Sequence, residues 1–378
     1  MKTRNQLAFL LYGVITKCHS LQSLCKNLLF LDNKLLYIGI DKLPALSTLS
    51  DANINRNSDV FAQMYFMLYQ HYSYCLSDSH IKWFINEEVD PKKVKLFDAT
   101  TISLFVDIFK GAGRNPINGK RKGGLKVQAC MPLSGFVPDL IHITAAASND
   151  KNFLGQLNDP SGTIYVFDKG YVNYKIFNQW TDKGIYFVTR INENANYSII
   201  ERKVNHIIDY AGGGVIKDEI IELKSCSDSP LKARLITYKD PIKGKVLKFL
   251  SNMFEYDAMT IVLLYKNRWN MEILFKQLKQ NFELSYFYSD SAEGIKSQVW
   301  IALIANLLFS VIHRQLKECE QFTTLVSMAS NNLGSYTCFI GLLKSKKLNQ
   351  TERDINKIQL DLFEKTRGGV FEKIEKSP

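Results

Sequence analysis

Residues 257–282 read DAMTIVLLYKNRWNMEILFKQLKQNF, a stretch without proline or glycine in which apolar residues recur at helical spacing. This pattern predicts one continuous helix. Four polar residues share an arc of about 60° on its wheel, spread along about 21 Å of the axis: Tyr265, Arg268, Glu272 and Lys279. The stripe is either a solvated face with ion pairs one turn apart or a functional surface that presents a carboxylate between cations.

The composition is that of a globular protein with a surplus of positive charge. The chain has 378 residues, of which 46% are apolar and 22% charged, and its net charge is +11. The length allows a sizeable core and two or three domains. The positive charge favours a polyanionic partner, of which nucleic acid is the commonest.

The seven cysteines are scattered, their number is odd, and no Cys-x2-Cys pair occurs. This argues against a disulfide framework and against a zinc site, and it is typical of a reducing cytoplasm. Two apolar runs, 7–15 and 299–312, are interpreted as buried helices, because the first lacks a cleavage site and the second is too short to span a bilayer. We therefore expect a cytoplasmic, nucleoid-associated protein with no membrane contact.

Residues 1–90 show helical spacing and are predicted to form a helical N-terminal domain with possible DNA binding. A short helix capped by Ser47 would carry four polar residues: Ser50, Asn53, Asn55 and Arg56. It is either a recognition helix for a major groove or a capped structural helix in a small bundle.

From residue 91 the pattern changes to short β-branched and aromatic runs. Strands are predicted at 94–104, 125–133, 136–145, 163–168 and 185–191, with helices at 152–157 and 174–182. Three antiparallel strands followed by helix, strand, helix and strand is the order of a ribonuclease-H-like α/β fold with a mixed sheet. Residues 91–191 and 256–315 would form this catalytic core, 192–255 a β-rich insertion, and 316–378 a C-terminal helical region and tail.

Carboxylates occupy three places that this fold would bring together. Asp98 lies midway along the first strand, Asp168 closes the fourth strand, which should be its neighbour, and Glu272 lies on the helix expected to cover the sheet. A charged residue inside an apolar strand is costly unless it is paired or binds a metal. Three oxygen ligands suit Mg²⁺ or Mn²⁺, and two such ions could activate a water and stabilise the leaving 3′ oxygen.

The motifs around these carboxylates resemble those of the DDE transposases of the insertion-sequence-4 family. Tyr-x2-Arg-x3-Glu-x6-Lys, from Tyr265 to Lys279, is similar to the family's signature helix. The run 96–102, LFDATTI, looks like its first-Asp motif, and 165–171, YVFDKGY, looks like its second-Asp motif. The stretches 122–127, KGGLKV, and 186–190, YFVTR, resemble family segments as well, and the likeness covers roughly residues 20–315.

The resemblance implies cut-and-paste transposition by a bacterial-type insertion-sequence transposase. Asp98, Asp168 and Glu272 would hold the metal ions and catalyse cleavage and strand transfer, with a hairpin as intermediate. Tyr265, Arg268 and Lys279 would bind phosphates of double-stranded DNA, at the transposon ends and the target. The resemblance also implies a homodimer in the DNA complex.

Further candidates for DNA contact are Lys126, Lys169 and Trp269. Trp269 lies near the edge of the stripe, where it would either stack on a flipped base or pack in the core. Two other functions stay open: a ribonuclease-H-like nuclease that cuts DNA without joining it, and a catalytically dead DNA-binding descendant of a transposase.

Overall fold

One mixed sheet of nine strands organises the computed structural model. The structure describes residues 1–31, 34–37, 40, 42–76, 88–103, 124–146, 148, 150–204, 214–224, 230–316 and 321–333. The strands are β1 (Val94–Ser103), β2 (Gly124–Pro132), β3 (Leu140–Ala145), β4 (Ile164–Phe167), β5 (Tyr186–Arg190), β6 (Tyr197–Val204), β7 (Gly214–Leu223), β8 (Leu231–Lys239) and β9 (Val246–Ser251). Their order in the sheet is β3-β2-β1-β4-β5-β9-β8-β7-β6.

The first five strands confirm the predicted ribonuclease-H-like fold. β1 pairs antiparallel with β2, and β2 pairs antiparallel with β3. β4 then pairs parallel with β1, and β5 pairs parallel with β4. The predicted helix at 174–182 is present at those bounds, whereas the one at 152–157 is a 3₁₀ turn at Asp150–Gln156.

Residues of the predicted β-rich insertion extend this sheet. β6 to β9 form an antiparallel series, and β9 pairs antiparallel with β5. The strand content of residues 192–255 is as predicted, while the division of the chain into domains stays a prediction. The C-terminal region beyond residue 333 lies outside the described residues.

Ten helices are described: α1 (Thr3–Ile15), α2 (Leu21–Leu29), α3 (Lys34–Tyr37), α4 (Leu46–Asn55), α5 (Asp59–Leu76), α6 (Tyr174–Asp182), α7 (Ala258–Lys266), α8 (Trp269–Asn281), α9 (Ala292–Gln315) and α10 (Phe322–Asn332). The N-terminal helices α1, α4 and α5 pack on α9. α9 contains the apolar run 299–312 and is the one described helix long and apolar enough to cross a membrane, but most of it is buried inside the protein. The apolar run is therefore accounted for by core packing, as predicted.

The short helix α4 differs from its prediction in its cap and in its polar face. It begins at Leu46, and the N-cap Ala45 has no capping side chain, so Ser47 is not the cap. Asn53 is buried and accepts a hydrogen bond from the Gln6 amide, and Arg56 donates to the Gln6 side-chain oxygen. These contacts support the structural interpretation of α4, because two of its four polar residues are already bound within the N-terminal helices.

Alternation along β1 places the apolar residues in two separate cores. Leu96 packs in the core beneath α8 and α9, whereas Phe97 packs in the core on the other face, where it stacks on Phe167 with ring centroids 4.5 Å apart. Because successive side chains of a strand point to opposite faces, Asp98 shares the face of Leu96. Asp98 therefore lies under the helices that follow the sheet in the chain.

Candidate active site

Asp98 and Asp168 meet where β4 ends beside β1. The parallel register pairs Leu96 with Val166 and Phe97 with Phe167. An aspartate follows each of the two phenylalanines: Asp98 within β1 and Asp168 directly after β4. Val166 belongs to the same core as Leu96, which places Asp168 and Asp98 on one face of the sheet. The predicted adjacency of the two carboxylates follows from this register.

Glu272 lies on α8, which packs against β1, but the predicted continuous helix 257–282 is interrupted. α7 ends at Lys266 and α8 begins at Trp269. Between them, the backbone N–H groups of Asn267 and Arg268 donate to carbonyls three residues back, and the Asn267 side chain donates to the Leu263 carbonyl. This 3₁₀ turn is wound more tightly than an α-helix. The residues of α8 therefore point in directions that differ from those predicted for one continuous α-helix.

The guanidinium of Arg268 joins two of the three carboxylates. Its Nη1 lies 3.2 Å from Oδ2 of Asp98, and its Nη2 lies 2.6 Å from Oε1 of Glu272. The Arg268 side chain is only 15% exposed. Asp98 and Glu272, which are 174 positions apart in the sequence, are thus held on opposite sides of one cation.

Asp168 has partners of its own. Arg190, the last residue of β5, places Nη2 2.7 Å from Oδ1 of Asp168, and the Tyr265 hydroxyl donates to the same oxygen over 3.2 Å. Arg190 and Arg268 lie 5.9 and 5.8 Å from the centroid of the Tyr265 ring. The phenol therefore links the two arginine–carboxylate groups into one network.

Arg190 is a site residue that the sequence reasoning missed. It appears there only as the end of a strand that resembles a family segment. One signal pointed to it: Arg190 closes β5 as Asp168 closes β4, and in a parallel sheet such ends meet at one edge.

Burial and charge give the two aspartates different acidities. Burial, together with repulsion from Asp168 and Glu272, raises the pKa of Asp98 to about 6, against the opposing effects of the Ala99 N–H and Arg268. Burial also acts on Asp168, but the hydrogen bond and charge of Arg190 outweigh it and lower the pKa of that carboxyl. Of the two aspartates, Asp98 is thus the one that needs a cation more in order to ionise.

The other predicted DNA contacts occupy different surroundings. Lys279 donates from Nζ to the Thr101 carbonyl over 2.9 Å, and burial lowers its pKa. Lys169 is partly exposed, with Nζ 3.4 Å from a carboxylate oxygen of Glu193. Trp269 is 59% exposed, which overturns the core-packing interpretation and leaves its ring accessible.

Lys126 does not join the carboxylate group. It is only 9% exposed, and its Nζ donates to the Ser148 carbonyl over 2.6 Å. Its neighbours Leu125 and Val127 belong to the core on the Asp98 face, so alternation directs Lys126 to the opposite face of the sheet. The position separates Lys126 from the site. The basic, glycine-rich loop that precedes it, residues 110–123, lies outside the described residues.

A polar cavity of about 570 Å³ opens beside Lys169, next to Asp168 in the chain. Tyr174 and Lys224 line its wall, and the loop 192–196, with three asparagines, completes it. The Lys224 N–H donates to the Asn196 carbonyl and so fixes one side of the loop. The lining contains two lysines and the carboxylate of Glu193, and it lies at the same edge of the sheet as the carboxylates of the site.

The donor chemistry of the three carboxylates fits a divalent ion, since Mg²⁺ and Mn²⁺ prefer carboxylate oxygen. Within the described ranges, however, no three His, Cys, Asp or Glu side chains form a group that could hold a metal ion as they stand. The predicted chelating group is not assembled in this conformation, in which Arg268 pairs with both Asp98 and Glu272.

Comparison with known proteins matches the chain to a transposase family and to several transposases. The family described as the transposase DDE domain matches residues 90–308. The chain is 29% identical over 238 residues to a putative transposase of Sinorhizobium fredii, and 22% identical over 230 residues to a probable transposase for insertion sequence element IS5377 of Geobacillus stearothermophilus. It is 27% identical over 201 residues to transposase InsG for insertion sequence element IS4 of Escherichia coli.

These matches cover 62%, 60% and 47% of this chain. They cover 65%, 59% and 42% of the three relatives, so the chain spans less than two thirds of the length of each.

Proposed function

Because the chain belongs to the transposase DDE domain family, which matches it over residues 90–308, we propose that it is the transposase of a bacterial-type insertion sequence. It cleaves double-stranded DNA at the ends of the element and joins the freed 3′ ends to a target, by cut-and-paste through a hairpin. It acts in the cytoplasm on nucleoid DNA, as a homodimer in the DNA complex. The match to the IS4 transposase agrees with the resemblance of the signature helix.

One observation carries the proposal: carboxylates from β1, β4 and α8, far apart in sequence, are linked into one charged network by Arg268, Arg190 and Tyr265. A structural ion pair needs one cation for one carboxylate. Three carboxylates at one sheet edge, one of them with a pKa raised to about 6, are a costly arrangement unless function requires it.

Transposases of this family use divalent metal ions. We assign Asp98, Asp168 and Glu272 as the residues that hold Mg²⁺ or Mn²⁺, as two ions in the predicted arrangement. Ions bound by these residues would supply an activated water or 3′ hydroxyl and would stabilise the leaving 3′ oxygen. Arg190 keeps Asp168 ionised and fixes its orientation, since its Nη2 donates to Oδ1.

DNA phosphates would be bound by the cations of this edge, without reading of the bases. Arg268 offers a planar fork for bidentate contact, Lys279 a point charge, and Tyr265 a neutral donor. Lys169 lies beside the polar cavity, where it extends the cationic path, and the exposed ring of Trp269 offers a stacking surface for a base.

The test of this function is a strand-transfer assay with the full chain and DNA that carries the sequences flanking its gene. We expect cleavage with Mg²⁺ or Mn²⁺, followed by joined product when pre-cut ends and a target plasmid are supplied. Cleavage without joined product would identify the nuclease alternative. Binding without cleavage in either metal would identify the catalytically dead alternative.

Replacing Arg268 or Lys279 with Ala should weaken binding to all DNA sequences by a similar factor. Each loss of a phosphate contact should reduce the slope of log affinity against log salt by about one unit. Titrations of cognate and scrambled duplexes at several salt concentrations measure this slope. Lys183→Ala is the matched control, because Lys183 is an exposed lysine that precedes β5 at the opposite edge of the sheet. A slope unchanged in both site variants would make the stripe an ordinary solvated face.

Replacing Arg190 with Ala should slow cleavage by about 10- to 100-fold, because partners that orient metal ligands contribute this much in other sites. The loss acts through Asp168, whose carboxylate would lose its arginine partner and keep the neutral donors, the Tyr265 hydroxyl and the Lys169 N–H. Arg190→Lys preserves the charge and should recover part of the rate. Equal rates for wild type and Arg190→Ala in single-turnover cleavage would remove Arg190 from the site.

A further inference from the structure

We propose that Arg268 couples the two ligands of this site: it competes with the divalent ion for Asp98 and Glu272, and DNA phosphate withdraws it. The inference rests on the proposed function, because it takes DNA and a divalent ion as the ligands. It adds an order of events, in which DNA binding prepares the carboxylates for the metal.

The guanidinium already fills the role of a cation at the two carboxylates. Its Nη1 and Nη2 reach one oxygen of Asp98 and one of Glu272, at 3.2 and 2.6 Å, so the fork spans both strand and helix. Both carboxylates would be ligands of the metal under the proposed function. A divalent ion bound to the same pair would stand beside a fixed positive charge in a poorly hydrated site, which disfavours both being present together.

The guanidinium is also incompletely satisfied where it lies. Nε of Arg268 is buried and has no hydrogen-bond partner among the described residues, and the same holds for Nε of Arg190. A buried donor without an acceptor is unfavourable. Phosphate oxygens accept hydrogen bonds from two guanidinium nitrogens at once, so a DNA phosphate would give Arg268 the acceptor that the protein does not.

The surroundings allow this exchange of partners. Arg268 lies in the 3₁₀ turn between α7 and α8, and the next residue, Trp269, is 59% exposed. Glu272 is 40% exposed as well, so the outer side of the ion pair faces solvent and the route of an approaching phosphate. Movement of the side chain toward a phosphate would free oxygens of Asp98 and Glu272 together.

The coupling has a measurable consequence in both directions. A variant without the guanidinium should bind a divalent ion more tightly in the absence of DNA. The wild type should gain metal affinity when DNA is added, and by linkage its DNA affinity should rise by the same factor when metal is added. Couplings between sites are commonly about 5- to 150-fold, and we expect at least the lower end of this range here.

The experiment measures Mn²⁺ binding to the full chain by electron paramagnetic resonance, with and without a short duplex that has 3′-deoxy ends. The proteins are wild type, Arg268→Gln, and Arg202→Gln as the control for loss of a surface arginine, since Arg202 is 63% exposed and pairs with Glu219. We expect Arg268→Gln to bind Mn²⁺ at least about fivefold more tightly than wild type without DNA. The duplex should tighten Mn²⁺ binding for wild type and for Arg202→Gln, but not for Arg268→Gln.

Unchanged Mn²⁺ affinity in Arg268→Gln, or a duplex effect that persists in it, would overturn the inference. Arg268→Lys, which keeps a charge but loses the fork, gives a second test if the glutamine variant fails to fold, and its Mn²⁺ affinity should fall between those of wild type and Arg268→Gln. Asp98→Asn separates this failure from failure of the proposed function. If Asp98→Asn loses Mn²⁺ binding while Arg268→Gln binds Mn²⁺ like wild type, the metal site stands and the coupling is rejected. If Asp98→Asn binds Mn²⁺ as tightly as wild type, the metal site itself is rejected.

Discussion

Replacing Asp98 with Asn is expected to abolish DNA cleavage while DNA affinity stays the same or rises. The carboxylate is the least exposed of the three proposed metal ligands, and its loss removes several kcal/mol of transition-state stabilisation, which is about a thousandfold in rate. Binding should not suffer, because the change removes a negative charge close to the proposed path of the phosphates. Single-turnover cleavage in Mg²⁺ and duplex titration at one salt concentration measure the two effects separately.

The control for this variant is Asp182→Asn, an exposed aspartate at the end of α6. Unfolding is not expected to explain the loss of cleavage, because asparagine has nearly the same shape as aspartate. The raised pKa of Asp98, about 6, also indicates that its negative charge is unfavourable in the folded protein. Circular dichroism should show a melting temperature within a few degrees of wild type. Cleavage at the normal rate in Mg²⁺ would show that Asp98 is not a ligand.

The sheet and the placement of two carboxylates were predictable from sequence because they follow from local patterns. β-branched and aromatic runs fixed the strands, and the order of strands and helices fixed β1 and β4 as neighbours. Asp98 and Asp168 then had to lie at one edge. The same reasoning did not reach Arg190, since its role depends on β5 ending in register with Asp168, which the element order alone does not give.

The sequence-based expectations differ from the structure where packing or strand register sets the position of a side chain. A wheel of 100° per residue assumes a uniform α-helix, and the 3₁₀ turn at Asn267 and Arg268 breaks that assumption. The wheel placed Trp269 near the edge of the stripe and left both core packing and base stacking open, and its exposure of 59% excludes the first. Lys126 was grouped with the site by motif, yet a residue's face depends on the pairing of β2 with β1. The pair of Arg268 with Glu272 has the spacing of one helical turn that the sequence analysis considered, whereas the contact of Arg268 with Asp98 is tertiary and no spacing predicts it.

Arg234 forms with Asp218 the most deeply buried ion pair among the residues that the structure describes. Its Nε and Nη2 bind the two carboxylate oxygens of Asp218 at 2.8 and 2.6 Å, and both side chains are 4% exposed. Its Nη1 donates to the carbonyls of Met253, Phe254 and Tyr256. One guanidinium therefore fastens β7 and β8 to the segment that leads into α7.

Replacing Arg234 with Met should lower the free energy of unfolding by about 3–5 kcal/mol, because it leaves Asp218 buried without its cation. Urea denaturation monitored by circular dichroism measures the loss. Arg202→Met is the comparison on the neighbouring strand β6, where the arginine is 63% exposed although its partner Glu219 is buried. Water can take the place of an exposed arginine, so we expect a smaller loss there, of about 1 kcal/mol. A similar small loss for both variants would show that Asp218 finds another partner or water.

The double variant Asp218→Leu with Arg234→Met separates two contributions of Arg234: its charge beside Asp218 and its hydrogen bonds to the three carbonyls. If the unpaired carboxylate causes most of the loss, the double variant should recover at least about 1 kcal/mol relative to Arg234→Met. The carbonyls of Met253, Phe254 and Tyr256 stay without their donor in both variants. Hydrogen exchange in the segment 252–257 and in α7 should therefore be faster in the double variant than in wild type, even though part of the stability is recovered. DNA cleavage should also be slower in the double variant, because α7 carries Tyr265 and leads directly to Arg268. Wild-type exchange in the double variant would mean that the segment is held by its own packing and that Arg234 acts on stability alone.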